Sequence, residues 1–392
     1  MEKLRAWWSH RQGLDGRLAG KSAAEILHET GWVRGLGGVA PYLALYARAG
    51  LSREAVDAAV AKLQIHELPG VRGCTYVVPS GDFALALKAG EPFEGAEMKT
   101  AARLGVTEKE IDKLCDAVIK VLAETPLDPE EIRQATGSAS RGLGEEGKKK
   151  GVTTTLPLAL GRLQAAGEIR RVSTNGRLDQ QRYRYALWRP NPVAKFKLSP
   201  EELTIELARR FFNWAGPATL AEFQRFSALS VKASKAAIQA LKLAPFEGDR
   251  FITPAHKDEF ESFRTPKQAQ YALVSNIDGL PLFRRDVKDL LDPADSVREV
   301  YADRGFKKLG TLDYLPSHAI FDRGRLVGLW EFDPAANAIA WARFIAKNKD
   351  LEGAVARTEE FVRVQLGDAR GFSLDSPKSR VPRIEALRKA VV

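Results

Sequence analysis

The stretch TTTLPLALGRLQAAGEIRRVSTNGRLDQQRYRYALW (residues 153–188) decides the fold. Leucines recur in its first half at the spacing of one helical face, and a glycine predicts the end of that helix. Residues 168–173 and 181–188 are rich in β-branched and aromatic residues, and the turn pair Asn175-Gly176 lies between them. The stretch therefore predicts a helix followed by a two-stranded β-hairpin.

A shorter helix is predicted immediately upstream, in TPLDPEEIRQATG (residues 125–137). Asp128 is a suitable N-cap, Pro129 suits the first helical position, and acidic residues follow in the first turn. This helix should run to about Thr136, and a loop rich in Gly and Lys follows at residues 137–151. Helix, loop, helix and hairpin in this order is the sequence pattern of a winged helix.

The same region is strongly basic. The chain has a net charge of +10, and residues 141–185 hold ten basic residues against four acidic ones. In a winged helix that binds DNA, the second helix fits the major groove and the hairpin tip lies along the phosphates. The alternative is a solvated face on a winged helix that contacts other proteins. We expect DNA binding through Lys148, Lys149, Lys150, Arg162, Arg170, Arg171, Arg177 and Arg182.

The same order of elements recurs twice more. Residues 21–79 predict three helices, a turn and a strand, and residues 198–254 predict three helices and a hairpin. Beyond about Lys267, apolar and polar residues alternate, which predicts an antiparallel sheet or barrel followed by two helices. The predicted fold class is mostly α with β (α+β). Its parts are winged-helix modules at residues 1–100, 101–192 and 193–266, then a small antiparallel β-barrel with terminal helices at residues 267–392.

Composition excludes several classes of protein. No apolar run approaches the roughly 18 to 20 residues of a membrane helix, and the N-terminus lacks the features of a signal peptide, so we expect a cytoplasmic protein, nucleoid-associated if bacterial. Cys74 and Cys115 fit neither a disulfide framework nor a zinc site, and the histidines lack ligand spacing. The patterns GxxxxGK[ST], HExxH and GxSxG are absent. The sequence therefore gives no support for a metal site or for the enzyme classes that these motifs mark.

Six stretches form an ordered set that spans nearly the whole chain. They are RQGLDG (11–16), GGVAPYLALYARAGLS (37–52), RGCTYVVPSGDF (72–83), NWAGPATLAEFQRFSAL (213–229), LVSNIDGLPLFRRD (273–286) and RGRLVGLWEF (323–332). Together they resemble the HTH-42 winged-helix family, which includes the AlkZ/YcaQ DNA glycosylases that excise alkylated purines and unhook interstrand crosslinks. The resemblance implies three tandem winged helices curved around DNA, a C-terminal β-barrel, and no metal or cofactor.

The resemblance also points to a position for catalysis. Glycosylases of this family carry a Gln-x-Gln or Gln-x-Asp motif just before the helix that begins here near Pro41, and its side chains position water or stabilise the sugar cation. This sequence has Gly37, Gly38 and Val39 at that position, and none of these side chains forms hydrogen bonds.

Other polar residues are candidates for the missing role, because a cationic alkylated purine is already a good leaving group. Each candidate also reads as a surface or capping residue. Gln180 and Gln181, beside the wing, are expected to contact a phosphate or solvent. The candidates are Gln12, Asp15, Glu29, Gln64 and Glu67.

Three functions therefore remain open from the sequence. The first is a DNA glycosylase that works without the usual motif, and the second is a DNA-binding protein that has lost the chemistry. The third is a transcription regulator or protein-interaction module built on winged helices. Because one chain would carry three modules, it has less need of a dimer than a typical regulator, and we expect a monomer.

Overall fold

A computed structural model describes residues 1–93, 95–180, 182–284 and 286–390 of the chain. In its first part, a small antiparallel sheet of strand order β1-β3-β2 packs against helices. Ser22 caps α2 in a capping box with Glu25. The elements are α1 (Glu2–Arg11), α2 (Ala23–Thr30), β1 (Val33–Arg34), α3 (Ala40–Ala49), α4 (Arg53–Ala61), β2 (Ile65–Pro69), β3 (Thr75–Pro79), α5 (Phe83–Gly90) and α6 (Gly95–Ala102).

The second part contains the predicted helices and hairpin. Asp128 caps α8 in a capping box with Glu131. The loop predicted at residues 137–151 also contains a short helix, α9, that the glycines and lysines did not indicate. This part has a core of its own, built around residues such as Leu114 and Leu160. The elements are α7 (Glu108–Val121), α8 (Pro129–Thr136), α9 (Gly144–Lys149), α10 (Leu156–Ala165), β4 (Ile169–Ser173) and β5 (Tyr183–Leu187).

The third part repeats the order seen in the first, with a sheet of strand order β6-β8-β7. Ser199 caps its first helix in a capping box with Glu202. Phe211 and Phe212 share a core with Trp32 and Phe83 of the first part, so the two parts pack together. The elements are α11 (Pro200–Ala215), β6 (Ala218–Thr219), α12 (Leu220–Ser227), α13 (Val231–Ala240), β7 (Ala244–Phe246), β8 (Arg250–Ile252) and α14 (Pro254–Ser262).

The C-terminal part is an antiparallel sheet of strand order β14-β13-β12-β9, with a separate hairpin of β10 and β11. Its elements are β9 (Tyr271–Val274), α15 (Gly279–Leu282), β10 (Glu299–Ala302), β11 (Gly305–Lys308), β12 (His318–Asp322), β13 (Arg325–Asp333), β14 (Ala338–Arg343), α16 (Lys349–Phe361) and α17 (Pro377–Lys389).

The antiparallel sheet is confirmed, but the predicted closed barrel is not found. A barrel closes only when its first and last strands pair, whereas β9 and β14 are the two edges of the sheet within the described residues. Helix α16 instead covers apolar sheet residues, through contacts that include Leu351 and Phe361. One apolar face of the sheet is therefore buried by helix α16 rather than by closure of the sheet. The first of the two predicted terminal helices, α16, continues after Phe361 as a π-helical turn, Val362–Leu366.

Helix α1 contacts both the third part and the C-terminal sheet. Trp7 and Trp8 are buried in a core with residues of that sheet. Their indole N–H groups donate to the carbonyl oxygens of Gly216 and Pro217, each over 3.0 Å. The first, third and C-terminal parts therefore share their cores. No helix in the described part of the chain combines the length and apolar content needed to cross a membrane.

Candidate active-site cleft

The loop between β1 and α3, residues 35–39, lies where the resemblance places the catalytic side chains. Gly37 has a φ of +69°, in the left-handed region that favours glycine. Val39 is only 1% exposed, and it begins α3 without a side-chain cap. The loop is thus formed by backbone and buried apolar side chains, and residues 37–39 present no polar side chain to a substrate.

Residues 368–375, which lie between α16 and α17, cover this loop. The backbone N–H of Val39 donates to the carbonyl oxygen of Arg370 over 3.0 Å. The N–H of Ser373 donates to the carbonyl oxygen of Leu36 over 2.9 Å. Because both bonds join main chain to main chain, the covering segment is held by the loop's backbone rather than by its side chains.

Gly38 permits this close approach. A Cβ atom on Gly38 would lie 2.3 Å from the carbonyl oxygen of Gly371, far inside any normal contact. The covering segment is also anchored to the sheet, since the carbonyl oxygen of Ala369 lies 2.7 Å from Nε2 of His318. Glycine at position 38 is therefore required by packing.

Glu67, on β2, is the predicted candidate that contacts the loop. A Cβ on Gly35 would lie 2.5 Å from Oε1 of Glu67, so the carboxyl group rests directly on the loop backbone. Burial raises the pKa of Glu67 to about 7, although the Arg171 guanidinium and the Tyr183 hydroxyl act in the opposite direction. At neutral pH this carboxyl group is near its point of half-ionisation, where a general base or acid works best.

Glu67 lies on the wall of a cleft of about 800 Å³ between the first and second parts of the chain. This volume is within the range of roughly 300–1,000 Å³ found for small-molecule sites. Arg72 and Arg171 line it together with Tyr185 and Gln164. Among the described residues, no group of three or more His, Cys, Asp or Glu side chains is arranged to hold a metal ion.

Gln12, another predicted candidate, has a structural role. Its side-chain amide donates to the carbonyl oxygens of Thr30 and Trp214, each over 2.9 Å. Its Oε1 accepts from Arg48 over 2.9 Å, and the residue is only 2% exposed. With its donors and acceptor already used inside the core, Gln12 is not placed to orient a water molecule on a substrate.

The remaining candidates lie outside the cleft. Asp15 is 2.6 Å from Nδ1 of His10, and the hydrogen bond and charge of that ring lower the pKa of Asp15 despite its burial. Glu29 forms an ion pair with Arg17 over 2.7 Å. Gln64 is exposed. None of these three side chains lines the cleft that contains Glu67.

The tip of the second part's hairpin docks on the rest of the protein. Leu178 is buried, and its N–H donates to the hydroxyl of Tyr42 over 2.8 Å. Arg177 pairs with Asp179 over 2.8 Å and donates to the carbonyl oxygen of Leu366 over 3.1 Å. The tip therefore contacts α3 and the C-terminal part, and the charge of Arg177 is paired inside the protein. Gln180 is half-buried nearby, and Gln181 lies outside the described residues.

Three more of the predicted DNA-binding residues also have acidic partners. Arg162 lies between Glu108 and Asp112, at 2.5 Å and 2.7 Å. Lys148 and Lys150 each pair with a glutamate about one helical turn earlier. Exposed pairs of this kind contribute little to stability, so these side chains remain able to exchange partners.

The remaining four predicted DNA-binding residues differ in exposure. Arg171 is half-buried, with its guanidinium 5.1 Å from the centre of the Tyr183 ring. Lys149 and Arg182 are exposed, whereas Arg170 is half-buried and burial lowers its pKa. In the part of the chain that the structure describes, Lys149, Arg170 and Arg182 have no ion pair. Of these three, the exposed Lys149 and Arg182 present their charge most openly to a phosphate, whereas Arg170 is partly covered.

Sequence reasoning missed Tyr183, which acts on the pKa of Glu67 from the neighbouring hairpin. Tyr185 lies opposite Arg171 in the register of β4 and β5. Because side chains alternate along a strand, Tyr183 shares a face with Tyr185. The two-residue alternation in QRYRYALW was the signal that would have identified it.

Comparisons with known proteins agree with this architecture. The family model described as DNA glycosylase AlkZ-like matches residues 38–361, which is more than half of the chain. The fold is similar to that of the Streptomyces sahachiroi DNA glycosylase AlkZ, with a TM-score of 0.69 and 19% sequence identity over 94% of this chain and 97% of that one. No curated protein matches the sequence. The extent of the family match shows that the chain belongs to the AlkZ-like DNA glycosylase family.

Proposed function

We propose that the protein binds duplex DNA and hydrolyses the N-glycosidic bond of an alkylated purine, with Glu67 in place of the family's polar pair. The family membership supports the reaction class, and the contact between Glu67 and Gly35 carries the assignment of the residue. This contact puts a carboxyl group beside the loop whose own positions 37–39 offer no polar side chain.

The proposed reaction needs one proton acceptor. Water attacks C1′ of the sugar, the electron pair of the C1′–N bond leaves with the cationic base, and the carboxylate of Glu67 takes a proton from the water. The base departs as a neutral molecule, so no general acid is required. Because the carboxylate is the active form, activity should rise with pH through about 7, the pKa of Glu67.

The proposed DNA-binding scaffold has three winged helices, at residues 1–100, 101–192 and 193–266, followed by a C-terminal sheet with terminal helices at residues 267–392. We propose that it acts as a monomer and contacts phosphates through Lys149, Arg170 and Arg182.

The salt dependence of binding tests these contacts. The logarithm of the binding constant for duplex DNA should fall linearly with the logarithm of the salt concentration, and Lys149→Gln should lower the slope by about one. An affinity that does not change between about 50 and 200 mM salt would contradict DNA binding through these charges.

Base release from a duplex that contains 7-methylguanine tests the role of Glu67. Glu67→Gln should lower the single-turnover rate by about 10²-fold or more, which is the usual contribution of a general base. Glu97→Gln is the matched control, because Glu97 lines the same cleft but is exposed. Unchanged release by Glu67→Gln would refute the role of Glu67. Absence of release by the unaltered protein at stoichiometric concentration would refute the activity.

The covered loop favours a second candidate function, a DNA-binding protein without catalysis. Residues 368–375 fill the space beside positions 37–39, and no side chain of the family's motif is present there. This candidate predicts the same salt dependence of duplex binding, together with no release of base from any alkylated duplex. The two candidates therefore share the binding experiment and differ in the release experiment.

A further inference from the structure

The tip of the β4–β5 hairpin, residues 176–179, is buried against another part of the protein, although the second part has a core of its own. The residues of that core all lie between positions 98 and 187. Leu178 instead belongs to the core of the first and C-terminal parts, where it is 5% exposed. Its N–H donates to the hydroxyl of Tyr42, and that hydroxyl donates to Asp57 over 2.5 Å. The tip therefore leaves its own core and inserts into a neighbouring one.

The docked tip also occupies an arginine that a DNA-binding hairpin would use. Arg177 pairs with Asp179 and donates to the carbonyl oxygen of Leu366 over 3.1 Å. An arginine side chain contacts a phosphate only when its guanidinium faces the DNA. The tip cannot be buried against α3 and lie along a duplex at the same time, so the two states exclude each other.

Arg370 connects the docked tip to the loop at residues 35–39. Its guanidinium donates to the carbonyl oxygen of Asp179. Its own carbonyl oxygen accepts from the N–H of Val39 over 3.0 Å. One residue of the covering segment is thus bonded to the hairpin tip on one side and to the loop on the other. Release of the tip would remove one of the bonds that hold the covering segment in place.

Few groups hold the tip in its docked position. Leu178 is the one buried apolar side chain of the turn at residues 174–180. Burial of one leucine favours the docked state by roughly ten- to a hundredfold. The hydrogen bonds of the tip contribute less, because water replaces them when the tip is released. The undocked state is therefore a minor population of about one to ten per cent, which a ligand can select.

We infer that the hairpin tip is an autoinhibitory latch. When it is docked on α3, it withholds the hairpin and Arg177 from DNA, and a duplex binds to the state in which the tip is released. The inference rests on the proposed function, because the ligand that selects the released state is the duplex of the same reaction. A ligand shifts such an equilibrium only through its preference for one state. Variants that weaken the latch should therefore bind a duplex more tightly.

Fluorescence anisotropy with a fully paired duplex tests the latch. Leu178→Ser removes the buried anchor, and it should bind the duplex about tenfold more tightly than the unaltered protein because the undocked fraction rises. Leu122→Ser is the matched control. Leu122 is 3% exposed in the second part's own core, so this substitution weakens the second part without affecting the tip and should not tighten binding.

A second pair of variants changes a single hydroxyl group. Tyr42→Phe leaves the buried N–H of Leu178 without its acceptor in the docked state, and it should bind the duplex about threefold more tightly. Tyr46→Phe is its control, because the hydroxyl of Tyr46, also on α3, donates instead to the carbonyl oxygen of Arg357. It should bind as the unaltered protein does. Equal or weaker binding by both Leu178→Ser and Tyr42→Phe would overturn the inference and leave the proposed function intact.

Hydrogen exchange follows the tip in the unaltered protein. The N–H of Leu178 should exchange faster when the duplex is bound, because its bond to Tyr42 is then broken. The N–H of Val39 should also exchange faster, since Arg370 joins it to the tip. Slower exchange at Leu178 in the complex would mean that the tip stays docked, which would overturn the inference. Failure of all the proteins to bind the duplex would instead refute the proposed function.

Discussion

The ionisation of Glu67 should be measurable as a dependence of stability on pH. Burial raises the pKa of this carboxyl group from an ordinary value of 4.5 to about 7 in the folded protein. The native state therefore binds this proton more tightly than the unfolded state does. Stability from this group is fully present below about pH 4.5 and is lost as the pH rises through about 7.

The difference between these two pKa values corresponds to about 3 kcal/mol, at 1.36 kcal/mol for each pKa unit. Glu67→Gln places a neutral amide at the same position, and an amide does not ionise. The unaltered protein loses this stability as the pH rises, and the variant does not. The free energy of unfolding of Glu67→Gln minus that of the unaltered protein should therefore increase by about 3 kcal/mol between pH 4.5 and pH 8. Other carboxyl groups titrate in both proteins and cancel in the difference.

Urea unfolding followed by tryptophan fluorescence suits this measurement. Trp32 and Trp330 are buried in the cores that the first part shares with the third part and the C-terminal sheet, so they report on the structure around Glu67. Glu97→Gln removes an exposed carboxyl group and should give a curve parallel to that of the unaltered protein. If the curve for Glu67→Gln were also parallel, Glu67 would have an ordinary pKa and the reasoning about its burial would be refuted.

Two further substitutions test the packing around the site. Gly38→Ala should lower the free energy of unfolding by about 1–3 kcal/mol, because its Cβ would lie 2.3 Å from the Gly371 oxygen. Gly81→Ala is the control, since a Cβ there meets nothing within 4 Å, and equal melting temperatures would contradict the clash. Arg48→Ala removes the partner that lies 2.8 Å from the buried carboxylate of Asp278. The free energy of unfolding, measured with urea, should fall by about 3–5 kcal/mol. A fall of less than about 1 kcal/mol would count against a structural role for this pair.

The sequence predicted the local elements because their signals are local. The N-cap Asp128 and the turn pair Asn175-Gly176 each lie within a few residues of the element that they define. The strand alternation beyond Lys267 likewise predicted an antiparallel sheet. It did not determine closure, because closure depends on whether the first and last strands of the sheet pair.

Long-range contacts account for what the sequence did not predict. Leu178 reads as part of a solvent-exposed turn, yet it is buried because the hairpin tip meets Tyr42, far away along the chain. The absence of polar side chains at positions 37–39 was evident from the sequence. Glu67 was one of five polar candidates in the sequence. Only the pairing of β1, β3 and β2 brings Glu67 against Gly35.

The conformation and packing of residues 37–39 have a consequence for redesign of the loop. A glutamine at position 37 would have to adopt a φ of +69°, and one at position 39 would replace a side chain that is only 1% exposed. Placing the family's polar pair at positions 37 and 39 would therefore require a different backbone conformation at position 37 and different packing around position 39, so two substitutions alone would not supply it.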